Sequence, residues 1–495
     1  MNSNNKGSKD EMASTSTSAT FVVVGGGIAG VSCVEGLSFL NPEEKVILIT
    51  ASSLIKAVTN VVPLGKLIMK FDIEERAAKS LSEAHSSVDV VQDKVIRVNP
   101  TEKIVETKSG HIIKYQKLCL CTGARPKLIA EGHERVLGIR DTESVEEFSK
   151  KLQYAKRILV LGNGGIATEL VHEVQGVEMI WVIKDKHISA AFVDPGAAEF
   201  FQYKLLHPGT SSKDNSSATK RMKYTISGDK VSKGGPALGP DWHNNFRIEG
   251  TSTVKTRVQV EYECEVLKIL EPEDLKSVAR DKDDEDPDKT KWPIYVELTN
   301  GKIVGADFIV SATGVIPNSD ILGLESLNKY EDYGFAVDWK METSHPDVYA
   351  AGDVCTASWE PAEHWFQMRL WTQAQQMGQY AARSMNSSLK NEQFFQDFCF
   401  ELFTHVTKFF GYKVVLIGLF NAQKLGKEYE ILLRTTRGKE YIKLVLKNGK
   451  LQGAVLIGDT DLEEMCENLI LNGLDLSIYG EDLLNPDIDI EDYFD

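Results

Sequence analysis

Two glycine-rich segments follow apolar runs and precede stretches with helical periodicity: FVVVGGGIAG at residues 21–30 and LGNGGIA at residues 161–167. Both have the spacing G-x-G-x-x-G or its alanine-ended variant. The first glycine of this pattern permits a tight turn, the second lets the backbone approach a pyrophosphate, and the third lets helix pack on strand. The following helix N-terminus offers N–H donors and a positive dipole to phosphates. The segments therefore predict two dinucleotide sites, one for a tightly held flavin dinucleotide and one for an exchangeable nicotinamide nucleotide.

The residues predicted to hold the first dinucleotide come from the first turn and from the end of the next predicted strand. An acidic residue usually accepts the ribose hydroxyls at that strand end, and here Thr50 and Ser52 stand in its place. A hydroxyl can still bond the ribose, less strongly than a carboxylate does. The turn itself contributes the cofactor-binding candidates Gly25, Gly27, Ile28, Ala29 and Gly30.

The second turn contributes its own candidates, and the end of its second strand bears on nucleotide preference. The turn residues are Gly162, Gly164, Gly165 and Ile166. Lys184 and Asp185 lie where the 2′ position of the nicotinamide nucleotide is read. A cation at that place favours NADPH and an acid favours NADH, so this pair leaves both possibilities open.

Composition limits the classes of protein to consider. The 495 residues predict two to four domains, and the formal net charge of −16 disfavours a nucleic-acid or anionic-membrane binder. The polar start lacks the apolar region of a secretory signal and no apolar run could span a bilayer, so an intracellular protein is expected. Seven scattered cysteines indicate reduced thiols, and ten dispersed histidines predict no metal site. The basic run at 220–224 is interpreted as a solvated loop rather than a nucleic-acid contact.

Four further segments resemble those of a known family. The stretches LCLCTGARP (118–126) and FIVSATGVIPN (308–318) resemble the two A-T-G-x-x-P segments of the pyridine nucleotide-disulphide oxidoreductase superfamily, with Cys121 replacing the first alanine. The stretch DVYAAGDV (347–354) resembles its second flavin motif, and LWTQAQQMG (370–378) resembles the helix that points at the flavin pyrimidine. The resemblance implies that Asp353 hydrogen-bonds the ribityl chain of FAD. It also implies a set of further cofactor-binding residues: Val95, Thr122, Gly123, Thr313, Gly314 and Val354.

The fold class that follows is α/β, with two Rossmann-like (three-layer ββα) nucleotide-binding domains, one inserted in the other, and a C-terminal α+β domain. Residues 1–20 are predicted to be a disordered tail, and residues 21–150 and 292–390 the split FAD-binding domain. Residues 151–291 are predicted to form the NAD(P)H-binding domain, with a flexible insertion near 207–240. Residues 391–495 are predicted to form the C-terminal domain, with a hairpin signal at Asn448-Gly449 and an acidic tail.

Cysteine spacing separates this chain from the disulfide reductases of that superfamily. Those enzymes pass electrons from flavin to a cysteine pair, and no C-x-x-C or C-x-x-x-x-C occurs in this sequence. Cys119 and Cys121 share a face of a predicted buried strand, where structural thiols are favoured over a redox-active pair. The roles of Cys33 and Cys355 stay open. The chain is therefore more similar to single-flavin NAD(P)H reductases of the ferredoxin-reductase and apoptosis-inducing-factor type.

Two titratable residues are candidates for roles beside the flavin. In such reductases a lysine after the second strand often lies near flavin N5, and Lys56 occupies a comparable place. It is the one catalytic candidate, with a solvated loop lysine as an equally favoured alternative. His405 lies in the predicted first strand of the C-terminal domain, where a structural histidine is favoured over a residue at the flavin.

The resemblance implies an FAD-dependent NAD(P)H oxidoreductase, either disulfide-reductase-like or of a more general NAD(P)H-oxidising type. Hydride would pass from nicotinamide to flavin and on to oxygen, a small acceptor or a partner protein. The resemblance also implies protection of the tRNA ligase complex from oxidation, with that complex as protein partner, and a location in nucleus and cytoplasm. The alternative is a redox-gated binding protein, whose NAD(P)H–flavin charge-transfer state controls partner association with little turnover. Neither nucleic acid nor a membrane is expected as a direct partner.

Overall fold

The structure, a computed structural model, describes residues 16–206, 250, 257–278 and 292–485. Over these residues the α-helices are α1 (Ile28–Leu40), α2 (Lys79–Ala84), α3 (Thr142–Leu152), α4 (Gly165–Glu173), α5 (Pro195–Leu206), α6 (Pro272–Val278), α7 (Trp371–Lys390) and α8 (Glu463–Asn472). None of the described helices has the length and hydropathy needed to cross a bilayer.

The β-strands are numbered separately in chain order. They are β1 (Ser16–Val24), β2 (Val46–Thr50), β3 (Leu54–Pro63), β4 (Met69–Ala77), β5 (Val88–Gln92), β6 (Val95–Asn99), β7 (Ile104–Thr107), β8 (Ile112–Leu120), β9 (Ala124–Pro126), β10 (Val136–Leu137), β11 (Arg157–Leu161), β12 (Glu178–Val182), β13 (Arg257–Glu261), β14 (Val266–Leu270), β15 (Ile294–Leu298), β16 (Ile303–Ala306), β17 (Phe308–Ser311), β18 (Val315–Pro317), β19 (Phe335–Val337), β20 (Val348–Ala350), β21 (Cys355–Ala357), β22 (Thr404–Phe409), β23 (Tyr412–Gly418), β24 (Glu430–Thr436), β25 (Glu440–Lys447) and β26 (Lys450–Ile457).

The first unit is a sheet in the order β5-β2-β1-β8-β7-β6, with β20 also paired to β8. Strand β1 pairs in parallel with both β2 and β8, which explains its run of buried β-branched residues with no polar alternation. Helices α1 and α7 pack together closely, since a Cβ on Gly378 would lie 2.2 Å from the carbonyl oxygen of Ala29. The first glycine turn therefore leads into a helix fixed between the sheet and α7.

The second unit repeats this plan. Its parallel sheet has the order β10-β17-β11-β12-β13, and an antiparallel sheet β14-β15-β16 accompanies it. The chain passes between the units through an antiparallel ribbon of β9 and β18, in which Val315 pairs with Pro126. Since β11 and β1 both end at a glycine turn, each unit presents such a turn at the carboxyl ends of its parallel strands, where open α/β sheets bind ligands.

The third unit is an antiparallel sheet in the order β22-β23-β26-β25-β24, with α8 packed on it. The predicted hairpin is confirmed, because Asn448 and Gly449 join β25 to β26 with φ angles of 51° and 73°. Both residues are left-handed, as a two-residue type I′ turn requires. His405 lies in β22, as the sequence predicts.

The predicted fold class is confirmed, but three predicted boundaries are wrong. Strands β15, β16 and β17 belong to the sheets of the second unit, although residues 292–390 were assigned to the first, and β10 likewise pairs with β17. The boundaries therefore lie at β9 and β18. Residues 16–20, predicted as tail, extend β1 because they pair with the start of β8. The remaining tail, the insertion at 207–240 with its basic run, and the acidic terminus from 486 lie outside the described residues.

Gly30 offers a test of the packing behind the first turn. A Cβ at Gly30 would lie 1.9 Å from the Gly25 carbonyl oxygen, whereas a Cβ at Gly27 would meet nothing within 4 Å. We expect Gly30→Ala to lower the unfolding temperature of the nucleotide-free protein by roughly 2–10 °C, because overpacking costs about 1–3 kcal/mol. Gly27→Ala is the matched control and should stay close to wild type. Equal melting curves for the two variants, followed by circular dichroism, would contradict this packing argument.

Candidate nucleotide-binding site

Both glycine turns open onto one continuous cavity of about 1290 Å³. This volume exceeds the roughly 300–1,000 Å³ of a pocket for one small ligand. Residues 24–29 line one part of the cavity and residues 161–166 line another. The cavity is therefore large enough to hold two nucleotides that meet between the turns.

The two turns have nearly the same geometry. Gly25 has a φ of +119° and Gly162 a φ of +114°. Residues other than glycine rarely adopt such backbone angles. A Cβ on Gly25 would lie 2.1 Å from the carbonyl oxygen of Cys121, and one on Gly162 would lie 2.1 Å from that of Ala312. Only glycine fits either position, because the backbone of the neighbouring strand comes too close.

The second glycine of each turn provides the test of fit for a dinucleotide. Gly27 and Gly164 are the N-cap residues of α1 and α4, and neither cap has a side-chain hydrogen bond. A Cβ on either glycine would point into space empty of protein atoms within 4 Å. Backbone N–H groups at uncapped helix starts bind phosphate, and a side chain here would fill the place that the phosphates need. Both turns therefore fit a pyrophosphate.

Most of the predicted site residues line this cavity. At the first turn they are Gly25, Gly27, Ile28, Ala29, Thr50, Val95, Thr122, Gly123 and Asp353. At the second turn they are Gly162, Gly164, Gly165, Ile166, Lys184, Thr313 and Gly314. Four predicted residues do not line it: Gly30, Ser52, Lys56 and Val354. Gly30 lies beneath the turn, and Val354 is buried in the core of the first unit.

The two hydroxyls predicted to bind the ribose are largely occupied by the protein itself. Ser52 is 1% exposed, and its hydroxyl accepts a hydrogen bond from the Leu54 N–H at 3.1 Å. Thr50 lines the cavity, but its hydroxyl bonds the backbone of Ser52 at 3.3 Å. The expected ribose contact from Ser52 does not fit this arrangement, since the side chain is turned back into its own chain segment.

Lys56 lies in β3 and is 4% exposed, so the solvated-loop alternative is wrong. Its ammonium group contacts Glu75 of β4 at 2.5 Å, and the Thr142 hydroxyl also donates to Glu75. A buried lysine is tolerated when a carboxylate pairs with it. The Lys56 ammonium pairs with Glu75 and does not line the cavity. This arrangement does not support the predicted contact between Lys56 and the flavin.

Asp353 faces the cavity beside two arginines that the sequence reasoning missed. Burial raises the pKa of its carboxyl group, and the positive charges of Arg140 and Arg369 oppose that rise. Within the described part of the chain no side chain donates a hydrogen bond to this carboxylate, so it can accept one from a ligand hydroxyl. Burial lowers the pKa of Arg140, whose Nη2 packs 2.5 Å from where a Cβ on Gly123 would lie. No motif marked Arg140, because it reaches the site from the loop between β10 and α3.

The two side chains predicted to read the 2′ position at the second turn, Lys184 and Asp185, differ in their surroundings. The Asp185 carboxylate accepts a hydrogen bond from the Asn163 amide at 2.8 Å, and that amide also donates to the carbonyl of His187 at 2.9 Å. Lys184 is exposed and lines the cavity. Asp185 is therefore engaged within the protein, while the Lys184 side chain remains accessible to a ligand.

Aromatic side chains from all three units meet between the turns. The His405 ring lies 4.9 Å from Trp371 and 6.1 Å from Phe192, and Phe192 lies 5.2 Å from Phe409. His405 Nδ1 and the Thr372 hydroxyl are 3.0 Å apart, and burial lowers the pKa of His405 to about 3. The N-terminus of α7 faces the cavity, because Leu370, Trp371 and Ala374 line it. The helix begins at Trp371 without a side-chain cap.

The cysteines have the surroundings of structural thiols. Cys119 and Cys121 are buried with their sulfur atoms 3.6 Å apart. The hydrogen bond with Cys119 and burial both raise the pKa of Cys121, and burial raises the pKa of Cys355. Protonated thiols are poor nucleophiles, so these groups are unsuited to dithiol exchange. The described residues also contain no group of three or more side chains arranged to bind a metal ion.

Comparison with known proteins agrees with this geometry. The family model described as pyridine nucleotide-disulphide oxidoreductase matches residues 19–230 and 253–378, and the rubredoxin NAD+ reductase C-terminal domain matches residues 405–474. The chain is 51% identical over 495 residues to the human pyridine nucleotide-disulfide oxidoreductase domain-containing protein 1, covering 97% of this chain and 98% of the relative. The Drosophila melanogaster protein of that name is 50% identical over 481 residues, covering 96% and 99%.

A solved structure supports the fold independently. The water-forming NADH oxidase from Lactobacillus brevis bound to NADH superimposes with a TM-score of 0.63 at 15% identity, covering 95% of this chain and 94% of that chain. At 15% identity this similarity supports a shared fold and does not by itself support a shared function. The cofactors are FAD and NAD(P)H, as the sequence predicts and the two turns allow. The chain belongs to the pyridine nucleotide-disulphide oxidoreductase family and is a flavin-dependent NAD(P)H oxidoreductase.

Proposed function

We propose that the first glycine turn holds FAD, that the second holds NAD(P)H, and that electrons leave the flavin without passing through a cysteine pair. The observation that carries the proposal is the single cavity shared by both turns. Among its described lining residues the cysteines are Cys121, at the first turn, and Cys264, at the second. These two thiols lie at opposite nucleotide sites and cannot act as a dithiol.

The chain contributes binding and orientation, while the nicotinamide supplies a hydride and the flavin accepts it when both are bound. The backbone N–H groups that follow Gly27 and Gly164 hold the two pyrophosphates. The Asp353 carboxylate accepts a hydrogen bond from the ribityl chain, and Arg140 adds positive charge near it. Lys184 contacts the adenosine end of the nicotinamide nucleotide, and the open cation favours the 2′-phosphate of NADPH.

The aromatic residues between the turns would exclude water from the space between the two turns, where the nicotinamide and the flavin would lie when bound. Phe192 is 6% exposed and Phe409 is 2% exposed, so both present apolar surface to the cavity while staying packed. His405 is neutral near pH 7 and adds no charge to this region there, because burial lowers its pKa to about 3. The positive end of α7 then supplies the fixed electrostatic stabilisation for the reduced flavin.

We propose molecular oxygen, a small quinone-like molecule or a partner protein as the electron acceptor. Oxygen is supported as a candidate by the likeness in fold to a water-forming NADH oxidase. We further propose that the chain acts in the nucleus and cytoplasm to keep the tRNA ligase complex from oxidation, a role supported by the family resemblance stated above. A direct test is to expose the purified ligase complex to peroxide with NADPH and either wild-type protein or Gly27→Val. Only the wild type should preserve ligase activity.

Substitutions at the two open glycines should separate the two sites. Gly27→Val should abolish FAD binding, because the added side chain fills the place of the pyrophosphate. Gly164→Val should leave the protein yellow and prevent bleaching of the flavin by NAD(P)H. The measurements are the flavin absorbance of the purified variants and its anaerobic change on addition of NADH or NADPH.

Each variant is the control for the other, because both glycines cap a helix and neither has a neighbour within 4 Å of the added atom. Loss of FAD in Gly164→Val, or retention of it in Gly27→Val, would contradict the assignment of the turns. Sustained oxidation of NADPH in air by the wild type supports an enzyme. A persistent long-wavelength absorbance band with little turnover would instead support the redox-gated binding protein.

The buried His405 predicts a sensitivity of stability to acid. Its pKa is about 3 in the folded protein, against about 6.5 in an unfolded chain, so the unfolded chain binds more protons between these values. Stability is therefore lost as pH falls below about 6.5. His405→Gln should reduce the difference in unfolding free energy between pH 7 and pH 5 by about 2 kcal/mol. Urea titrations at the two pH values measure it, and an unchanged difference would show that His405 titrates normally.

A further inference from the structure

Polar side chains of the C-terminal sheet reach across to a loop of the second unit. This loop, residues 187–194, is called here the Phe192 loop. The Lys443 side chain of β25 is 3% exposed, pairs with Asp194 and donates a hydrogen bond to the Asn421 side-chain oxygen at 2.9 Å. The Tyr441 hydroxyl donates to Asp194 at 3.0 Å. One buried ammonium group thus links Asp194, the last residue of the Phe192 loop, to Asn421 of the C-terminal unit.

Asp194 is the point at which this cluster holds the loop. One of its oxygens accepts the backbone N–H groups of Gly196 and Ala197 at 2.8 and 3.0 Å, at the start of α5. Although burial opposes ionisation, the charge of Lys443 and these hydrogen bonds lower the pKa of Asp194. Burial lowers the pKa of Lys443. Removing one member of such a buried pair leaves the other without its compensating charge, which favours displacement of the segment that carries it.

The second contact of the cluster is with Phe192 itself. The Asn421 amide donates to the backbone carbonyl of Phe192 at 3.4 Å. The Phe192 ring lies beside the second glycine turn, where its Cε2 would be 3.6 Å from a Cβ on Gly165. Lys443 therefore constrains Phe192 through two neighbours. Asp194 follows Phe192 by two residues in the chain, and Asn421 donates a hydrogen bond to the Phe192 carbonyl.

The far end of the same loop is held by the turn itself. Asn163 lies between the two glycines of the turn, and its side-chain oxygen accepts the N–H of Ser189 at 2.5 Å. The loop is thus tied at one end to the glycine turn and at the other to the C-terminal sheet. Phe192 lies between the two attachments, at a place where a small displacement changes the width of the cavity.

We propose that Lys443 is a positioning residue for the nicotinamide nucleotide. By holding Asp194 and Asn421, it keeps the Phe192 ring against the second glycine turn and sets the space left for the nicotinamide end of the ligand. The C-terminal domain thus determines affinity at a site whose phosphate-binding turn belongs to another unit. This inference rests on the proposed function, since it takes the second turn to be the NAD(P)H site.

The test compares Lys443→Met with wild type by anaerobic titration with NADPH and by steady-state kinetics. We expect FAD content to be unchanged, the apparent Kd and KM for NADPH to rise roughly tenfold, and kcat to change less than about twofold. Lys413→Met is the control, because Lys413 of β23, itself half-buried, pairs at 2.9 Å with the buried carboxylate of Glu463, within the C-terminal unit. The KM of this control variant for NADPH should stay at the wild-type value.

A double-mutant cycle tests the route through Phe192. In a Phe192→Ala background, Lys443→Met should have no further effect on the Kd for NADPH, because the ring that it positions is absent. Equal Kd values for Lys443→Met and Lys413→Met, or a full additional effect in the Phe192→Ala background, would overturn the inference. Should Lys443→Met fail to fold, Tyr441→Phe removes one hydrogen bond to Asp194 and should raise Kd roughly threefold.

The same titrations separate failure of this inference from failure of the proposed function. If NADPH does not bleach the flavin of the wild type, or if Gly164→Val binds NADPH normally, the site assignment fails. If wild type and Gly164→Val behave as proposed while Lys443→Met matches its control, only the role of Lys443 is lost.

Discussion

The close approach of two backbone segments at each glycine turn is the constraint on which the site depends. In each unit a strand ends at a glycine whose missing side chain leaves room for the carbonyl oxygen of the returning strand. The two copies agree in φ to within a few degrees, and a Cβ at either glycine would come to the same 2.1 Å from that oxygen. This contact fixes where α1 and α4 begin. The N–H groups at those starts then face one shared cavity.

The remainder of the site is assembled across the units. Asp353 comes from the first unit, Arg140 from a segment that packs on the second, and His405 from the third. Burial pushes the pKa of the carboxyl up and that of the guanidinium down, and their opposite charges act against both changes. Each charge therefore favours the ionised form of the other. The relative placement of the units therefore has an electrostatic basis as well as an apolar one.

The sequence predicted the parts of the fold whose cause is local. The glycine turns, the Asn448-Gly449 hairpin and the strand that carries His405 follow from spacing and backbone preference, and the structure contains each of them. Parts that depend on distant partners were missed or misassigned. No sequence pattern indicated that Lys56 pairs with Glu75, because the pairing arises only when β3 and β4 align. The domain boundaries were misplaced for the same reason, since the pairing of β10 with β17 joins residues far apart in the chain.

The ribbon of β9 and β18 also explains how one unit can be carried inside another. The chain leaves the first unit at Pro126 and re-enters it at Val315, and these two residues are direct neighbours across the ribbon. A tight turn could therefore span the gap if everything between them were excised, and the strand order of the remaining sheet would be unaffected. The inserted unit thus begins and ends at neighbouring positions of the ribbon. A change in the length of the inserted unit therefore need not alter where the chain leaves and re-enters the first unit.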